Sequence, residues 1–247
     1  MGASPLEVPY TELAAVYDRV YSWKRYEHES RLVRALVRRY GPPRARTVLD
    51  VACGTGGHLR FLSGWFDCTG LDASRAMLTV ARARVPSARF VQGRMPRFDL
   101  GRTFDVVTCL FSSIGYVRTP TALRATVRTL ARHLAPQGLL IVEPWLTPSV
   151  WKPGSFHLQV VPSPTSPIAR MNSSRTVRGR SVMEMHYLVP SGPRVRHWVE
   201  VHDLGLFSRR ETEAAFRAAG LDVRRLPSRF YGPGHTDRGL YLGTWPA

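Results

Sequence analysis

Residues 47–57 read Thr47-Val48-Leu49-Asp50-Val51-Ala52-Cys53-Gly54-Thr55-Gly56-Gly57. The first five make a short apolar run, the pattern of a parallel strand buried on both faces. The glycines that follow let the backbone turn tightly and approach a ligand without interference from a Cβ. Such a turn opens a helix N-terminus, where N–H groups are available to a polar or anionic partner. A Gly-rich turn alone is weak evidence, since nicotinamide-binding folds carry one too. The second signal is Asp72, about 20 residues on, at the end of a second strand Cys68-Thr69-Gly70-Leu71-Asp72, where an acidic group can hold ribose hydroxyls. A dinucleotide enzyme would want G-x-G-x-x-G around its pyrophosphate, whereas this turn reads G-T-G-G-H-L and is preceded by Asp50. A carboxylate beside a pyrophosphate is repulsive. A cofactor that carries an ammonium group and no phosphate suits the turn better.

Outward from this turn the chain alternates. Residues 10–40 read as helical, with Leu32, Val33, Leu36 and Val37 on one face, and Gly41-Pro42-Pro43 ends them. A short helix through Leu59 and Leu62 follows the Gly-rich turn, and another runs from Ser74 to Arg84. Arg89-Phe90-Val91-Gln92, Phe104–Leu110 and Leu139–Glu143 read as further strands, with an Arg-studded amphipathic helix over 121–134 ended by Pro136-Gln137-Gly138. Strands alternating with helices predict an α/β, Rossmann-like, doubly wound and mostly parallel sheet with right-handed crossovers. After Glu143 the pattern changes. Residues 146–170 are rich in Pro and Ser, and strand-like stretches follow at 182–189 and 194–206, then a helix at 208–219 and a strand pair at 222–230 and 239–244. The expected organisation is a core of residues 1–145 and 207–247, with a small antiparallel β insertion, 146–206, forming a lid or platform on the substrate side.

The chain has 247 residues, 44% of them hydrophobic, enough for one good core. No stretch approaches the roughly 20 uncharged apolar residues of a bilayer span. The N-terminus lacks the basic and apolar regions of a signal peptide, and position six is Leu, which argues against myristoylation at Gly2. Cys53, Cys68 and Cys109 sit in apolar, strand-like surroundings without CxxC spacing. A disulfide framework or zinc site is not expected, no metal is assigned, and a cytoplasmic setting fits. The formal charge is +17, and Lys24 and Lys152 are the only lysines among 35 basic residues. A nucleic-acid surface is one reading of that charge. A general compositional bias toward Arg, Ala, Pro and Gly is the other, favoured because no basic block is interleaved with aromatics. A phosphate-bearing small substrate also fits.

The stretches VLDVACGTGGHL, GLDASRAML, VQGRM, FDVVTCLFSSIGY and HLAPQGLLIVEPW resemble the successive motifs of class I S-adenosylmethionine (SAM)-dependent methyltransferases. The similarity extends to the bacterial enzymes that N,N-dimethylate nucleotide-linked amino sugars for macrolide antibiotics. It runs from about Tyr17 to Gly243 and is strongest in the SAM-binding half; VEPW, MEMHYLV, VHDLGLF and EAAFRAAGL carry it further. The resemblance implies SAM as cofactor. Ala52, Gly54 and Gly56 would then touch its methionine part, beside Asp50; Asp72 would hold the ribose; Met77, Gln92, Gly93 and Met95 would line the adenine. Phe111 and Ser112 should flank the transferable methyl. Tyr17 and Tyr21 belong to an N-terminal helix that covers the cofactor, with core packing as the alternative for each. Tyr116, Glu143 and Trp145 lie at or just beyond strand ends, where open α/β sheets bind ligands. Tyr21, Tyr116 and Glu143 are the catalytic candidates. Glu143 either positions and deprotonates an amine or is satisfied by nearby backbone amides.

Several positions depart from that pattern. Arg94 stands where the family usually has an Asp that accepts from the adenine amino group, and arginine cannot accept. The Gly-Arg-Gly-Lys segment of the amino-sugar enzymes becomes Ser22-Trp23-Lys24-Arg25, and their C-terminal Ser-Gly-Arg-Gly becomes Thr236-Asp237-Arg238-Gly239. The expected reaction is methylation of a small-molecule natural-product intermediate at an amine, with Arg175, Arg178 and Arg238 meeting phosphates. Added aromatics, Trp23, Tyr26, Phe230 and Tyr231, leave open methylation at C or N of an aromatic or peptide-derived metabolite such as an indolic diketopiperazine. The charge leaves open an RNA methyltransferase, although a nucleic-acid partner is not the expectation. Trp23, Ser112, Trp145, Arg175, Arg178, Tyr231 and Arg238 form the substrate-side set. A homodimer is compatible with this reading, and a membrane partner is not.

Overall fold

The computed structural model describes Ala14, residues 16–227 and residues 239–246. Five strands, β1 (Thr47–Val51), β2 (Asp67–Asp72), β3 (Arg89–Gln92), β4 (Phe104–Cys109) and β5 (Leu134–Val142), pair in parallel. Antiparallel β10 (Asp222–Leu226) and β11 (Leu240–Thr244) complete the sheet in the order β10-β11-β5-β4-β1-β2-β3. Strand order reverses between β1 and β4, the switch point at which open α/β sheets leave a crevice beyond the strand ends. Both ends of this junction are tied. Asp105 Oδ2 accepts from the Arg46 and Thr47 N–H groups and the Thr47 hydroxyl at 2.8–2.9 Å, and Thr108 Oγ1 donates to Asp50 Oδ1 at 2.7 Å.

Alternate residues of the strands feed two cores. Val48, Val106, Leu139 and Ile141 pack with Val33, Leu36 and Val37 of α2 (Tyr26–Tyr40) and with Leu59 and Leu62 of α3 (Leu59–Leu62). Leu49, Val107, Leu140 and Val142 face Leu123, Val127 and Leu130 of α5 (Pro120–Arg132) and Phe216 of α6 (Arg209–Arg217). This is the period-two alternation of a sheet covered on both sides. Side-chain caps set the helix starts. Ser74 accepts from the Met77 N–H at the start of α4 (Arg75–Arg84), Thr119 caps α5 with Pro120 in its first turn, and Ser208 and Glu211 form a capping box. The three cysteines are buried free thiols.

A second, antiparallel sheet in the order β6-β7-β8-β9 lies between β5 and α6 in sequence: β6 (Phe156–Val161), β7 (Ile168–Val177), β8 (Arg180–Ser191) and β9 (Arg194–Gly205). Its inward face joins Tyr17, Val20 and Tyr21 of α1 (Tyr17–Val20) and the following residue in a third cluster with Ile168, Met183, Met185, Tyr187 and Leu204. The expected α/β architecture with an antiparallel insertion is therefore present.

Three local readings are corrected. The helix expected over 10–40 breaks between α1 and α2, because Lys24 turns inward to pair with Glu29 at 2.5 Å instead of continuing a helical face. Leu134 is already strand, paired with Phe104, and Pro136-Gln137-Gly138 forms a bulge inside β5, with Gln137 at φ 63°. The Pro- and Ser-rich stretch contains β6 and the start of β7, with Phe156, Leu158 and Val160 of β6 on the exposed face.

Phe216, fully buried against Tyr241 with ring centroids 6.0 Å apart, holds α6 to the sheet. Phe216→Ala is expected to cost about 3–5 kcal/mol of stability, read as a lower urea midpoint; a loss below about 1 kcal/mol would show that α6 does not depend on it.

Candidate active site

A cavity of about 1190 Å³ lies beyond the ends of β1, β2 and β4, roofed by α1 and the inward face of β6–β9. At its deep end Gly54, at φ +54°, presents open space: a Cβ built there would meet nothing within 4 Å. The turn is held from behind, since Asp72 Oδ2 accepts the Gly54 N–H at 2.9 Å and Oδ1 the Ser74 N–H at 2.8 Å. Burial pushes the Asp72 carboxyl up, and these backbone donors oppose the shift. Ala52, Asp72, Met77, Met95 and Phe111 border the same end of the cavity, as do Gly93 and Arg94.

Three cofactor candidates stand off this wall. Gly56 packs against Ala81 of α4, 3.3 Å from where its Cβ would be. Gln92 is exposed, and its amide donates to the Ala73 carbonyl at 3.2 Å. Asp50 borders a small adjoining cavity of about 30 Å³ with Tyr17, Tyr26, Thr55 and His58. Burial raises the Asp50 carboxyl, with the His58 and Thr108 contacts opposing.

Under the turn lies a buried network that the sequence reading missed. Glu29 accepts from Lys24 Nζ at 2.6 and 2.5 Å and meets His58 Nε2 at 2.7 Å. Burial alone would raise the Glu29 carboxyl, but His58 and Lys24 outweigh it and hold it below the ordinary value. Lys24 Nζ also stands 4.3 Å over the Phe111 ring. Lys24, Glu29 and His58 are scattered along the chain, so no spacing announced them.

Aromatic rings form the middle of the cavity. Tyr21 lies 4.6 Å from Tyr17 and perpendicular to Phe111 at 5.3 Å, and Trp23 sits 6.2 Å from Phe111. Burial raises the Tyr17 and Tyr21 phenols, so both stay neutral near pH 7. Ser112, Tyr116 and Trp145 continue the wall, and Trp145 Nε1 donates to Ser181 Oγ at 2.8 Å. Phe111 and Ser112 are consecutive non-glycine residues at φ 52° and 59°, a strained pair of the kind that clusters at functional sites. Glu143 pins them: Oε2 accepts the Phe111 N–H at 2.6 Å, and the Ser112 hydroxyl lies 3.5 Å from Oε1. Of the two readings of Glu143, its hydrogen bonds favour the structural one; it is buried and off the cavity wall.

Of the arginines singled out from sequence, Arg175 and Arg178 are not on the cavity wall. Along β7, Arg170, Asn172 and Ser174 line it, whereas Arg175 has the opposite parity and pairs with half-buried Glu184. Arg178, at φ 49°, occupies the β7–β8 turn. The basic groups on the wall are instead Arg94, Arg118, Lys152, Arg170, His157 and His202. Strand parity would have found Arg170, had β7 been recognised. Tyr231 and Arg238, with Phe230, Thr236 and Asp237, lie outside the described residues. Among the described residues no group of three His, Cys, Asp or Glu is arranged to hold a metal ion, and no helix is long and apolar enough to cross a membrane.

Comparison with known proteins agrees with this geometry. A family model described as a methyltransferase domain matches residues 48–138. The chain is 40% identical over 236 residues to a dTDP-3-amino-3,6-dideoxy-alpha-D-glucopyranose N,N-dimethyltransferase from Streptomyces fradiae, covering 94% of this chain and 90% of that protein. The crystal structure of Streptomyces venezuelae DesVI superposes with a TM-score of 0.86 at 40% identity, over 97% of this chain and all of the other. SAM-bound CalS10, an amino pentose methyltransferase from Micromonospora echinaspora, superposes at 0.82 with 34% identity, over 99% of this chain and all of that one. A crevice at the strand switch point, an open glycine cradle over an acidic strand end and near full-length similarity lead to one conclusion: the chain belongs to the class I SAM-dependent methyltransferases, together with these sugar N-methyltransferases.

Proposed function

We propose that this enzyme methylates the amine of a nucleotide-linked amino sugar in the biosynthesis of a natural product, in a reducing cytoplasm that suits its buried free thiols. The observation that carries the reading is one cavity lined both by the open Gly54 cradle and by the basic side chains Arg118, Lys152, His157 and Arg170. About 1190 Å³ exceeds what one drug-sized ligand needs, so cofactor and acceptor fit together, and the basic wall suits a diphosphate. Two of the similar proteins, the Streptomyces fradiae enzyme and CalS10, act by their names on amino sugars.

On this reading Ala52 and Gly54 take the methionine part of SAM, with Asp50 close by. Asp72 takes the ribose, and Met77 and Met95 the adenine. Arg94 supplies no acceptor, so packing and backbone hold the base there. Bound SAM supplies an electrophilic methyl on a sulfonium. The protein's contribution is to align the amine with it and exclude water. Tyr21, Trp23 and Phe111 form the apolar collar around that point. Glu143 acts by fixing the Phe111–Ser112 turn.

We also infer a homodimer through the outward face of β6–β9. Phe156 and Leu158 are 72% and 70% exposed, with Met171, Val195, Val199 and Val201 also exposed beside them. Such a patch marks an interface. A second copy turned about a two-fold axis would bring this apolar face against itself.

Calorimetry with S-adenosylhomocysteine and turnover of dTDP-linked 3-amino and 4-amino sugars test the function; saturable binding without turnover of any such sugar would move the acceptor to another amine class. Gly54→Val is expected to abolish S-adenosylhomocysteine binding in a folded protein, and Asp72→Ala to weaken it by about 1.5–3 kcal/mol; unchanged affinity in either removes that residue from the site. Glu143→Gln should keep most turnover, whereas a loss of about 10²-fold or more in a stable protein would make Glu143 a base. Light scattering should give a dimer that Leu158→Glu dissociates, and a monomeric wild-type protein would refute the interface.

A further inference from the structure

The relation of β9 to the turn beyond β4 places a second set of polar groups at the cavity. Alternate residues Glu200, His202 and Leu204 of β9 share its buried face. A 3₁₀ turn, Ser113–Val117, sits directly against that strand, because Gly115 has no Cβ; one built there would lie 2.8 Å from Leu204 and 3.0 Å from Trp145. This approach brings the Tyr116 hydroxyl to 2.5 Å from His202 Nδ1. The other ring nitrogen, Nε2, faces Glu200 Oε2 at 3.6 Å. Tyr116 and His202 border the cavity, while Glu200 stands behind them and is buried.

We propose that Tyr116, His202 and Glu200 form a relay that carries away the proton released by methyl transfer. The inference rests on the reading that the acceptor is an amine. The amine lone pair forms the new N–C bond, and the C–S bond breaks with its electrons left on sulfur. The resulting ammonium nitrogen must then lose one proton. The Tyr116 oxygen takes it while its own proton passes to His202 Nδ1, so no phenolate forms. The positive charge that left the sulfonium ends on the imidazolium, whose Nε2–H faces the Glu200 carboxylate. After product leaves, the proton returns through Tyr116 to solvent.

Alternative acceptors nearby are poor. Tyr17 and Tyr21 at the N-terminal end, and Tyr187 from β8, are phenols that burial raises, and Arg170 from β7 is a cation that faces Tyr21 and Tyr187. Asp203, the next residue of β9, is engaged with Arg180 at 2.8 Å. Glu143 is taken up by the Phe111 N–H. In this arrangement Tyr116 is the catalytic group that touches the acceptor, and His202 acts through it as a positioning and proton-holding residue.

Two measurements test the relay. The first needs no acceptor: long-range ¹⁵N–¹H NMR of the imidazoles in the protein loaded with S-adenosylhomocysteine. The relay requires neutral His202 with its proton on Nε2, and a change in its Nδ1 shift in Tyr116→Phe. An Nδ1–H tautomer, or an imidazolium at pH 8, would overturn it whatever the substrate. The second is turnover of a dTDP-amino sugar by His202→Asn, in which Oδ1 can still accept from Tyr116 but cannot hold a proton. The expected result is a kcat lower by about a hundredfold at pH 7, with S-adenosylhomocysteine affinity unchanged and the deficit shrinking as pH rises past the amine's own pKa. A wild-type kcat, or a deficit equal at every pH, would mean that His202 only packs. If the wild-type enzyme turns over no amino sugar, the functional reading fails, and the NMR result still decides the relay.

Discussion

The Asp50 carboxylate accepts a 2.7 Å hydrogen bond from the Thr108 hydroxyl, and neither residue sees solvent. That bond ties β1 to β4 where the order of the sheet reverses, while Asp105 and Thr47 tie the same two strands at the other end. Between these clamps the strands have no freedom to slip. The chain leaving β1 must then turn one way, through Gly54, and the chain leaving β4 the other, through Phe111 and Ser112. The cavity is the space left between those two departures. A charged group in such a place is costly unless it is satisfied, which is why burial raises Asp50 and why its partners are polar and close.

The remaining polar groups at the site follow the same logic. Asp72 receives the backbone of the glycine turn, Glu143 receives the backbone of the Phe111 turn, and Glu29 gathers Lys24 and His58 beneath both. Each carboxylate holds main chain or a basic side chain in place, and backbone, methionine and aromatic rings share the cavity wall with the basic groups. The site is stiff from behind and adaptable in front, which suits a reaction whose main requirement is alignment.

Much of this was legible in the sequence because the parallel half obeys local rules. A buried strand, a glycine turn and an acidic strand end recur at short range, and Ser74, Thr119 and Ser208 announce helix starts by their caps. The antiparallel half is governed by pairings across many residues, and its strands carry Arg170, Asn172 and Ser174 toward the cavity. Polar residues on an inward face resemble a loop when read alone. A strand that goes unrecognised also loses its parity, so Arg175 was chosen where Arg170 lines the wall. Lys24, Glu29 and His58 were invisible for a related reason: a network joined by folding has no signature in spacing. Tyr116 was legible at a strand end, but His202, 86 residues later, could be joined to it only in three dimensions.

The placement of β11 has a consequence for how the molecule is made. β11 inserts between β5 and β10, so β5 remains an edge strand until β11 is available. In the interval the whole of β6–β9 must be synthesised while the Leu139–Val142 edge offers unpaired N–H and C=O groups. Unpaired hydrophobic edges recruit other strands, and sequence-distant pairings form slowly. The nascent chain therefore passes through a state with a sticky border, and a cell that produces this enzyme in quantity has reason to shield that border until β11 arrives.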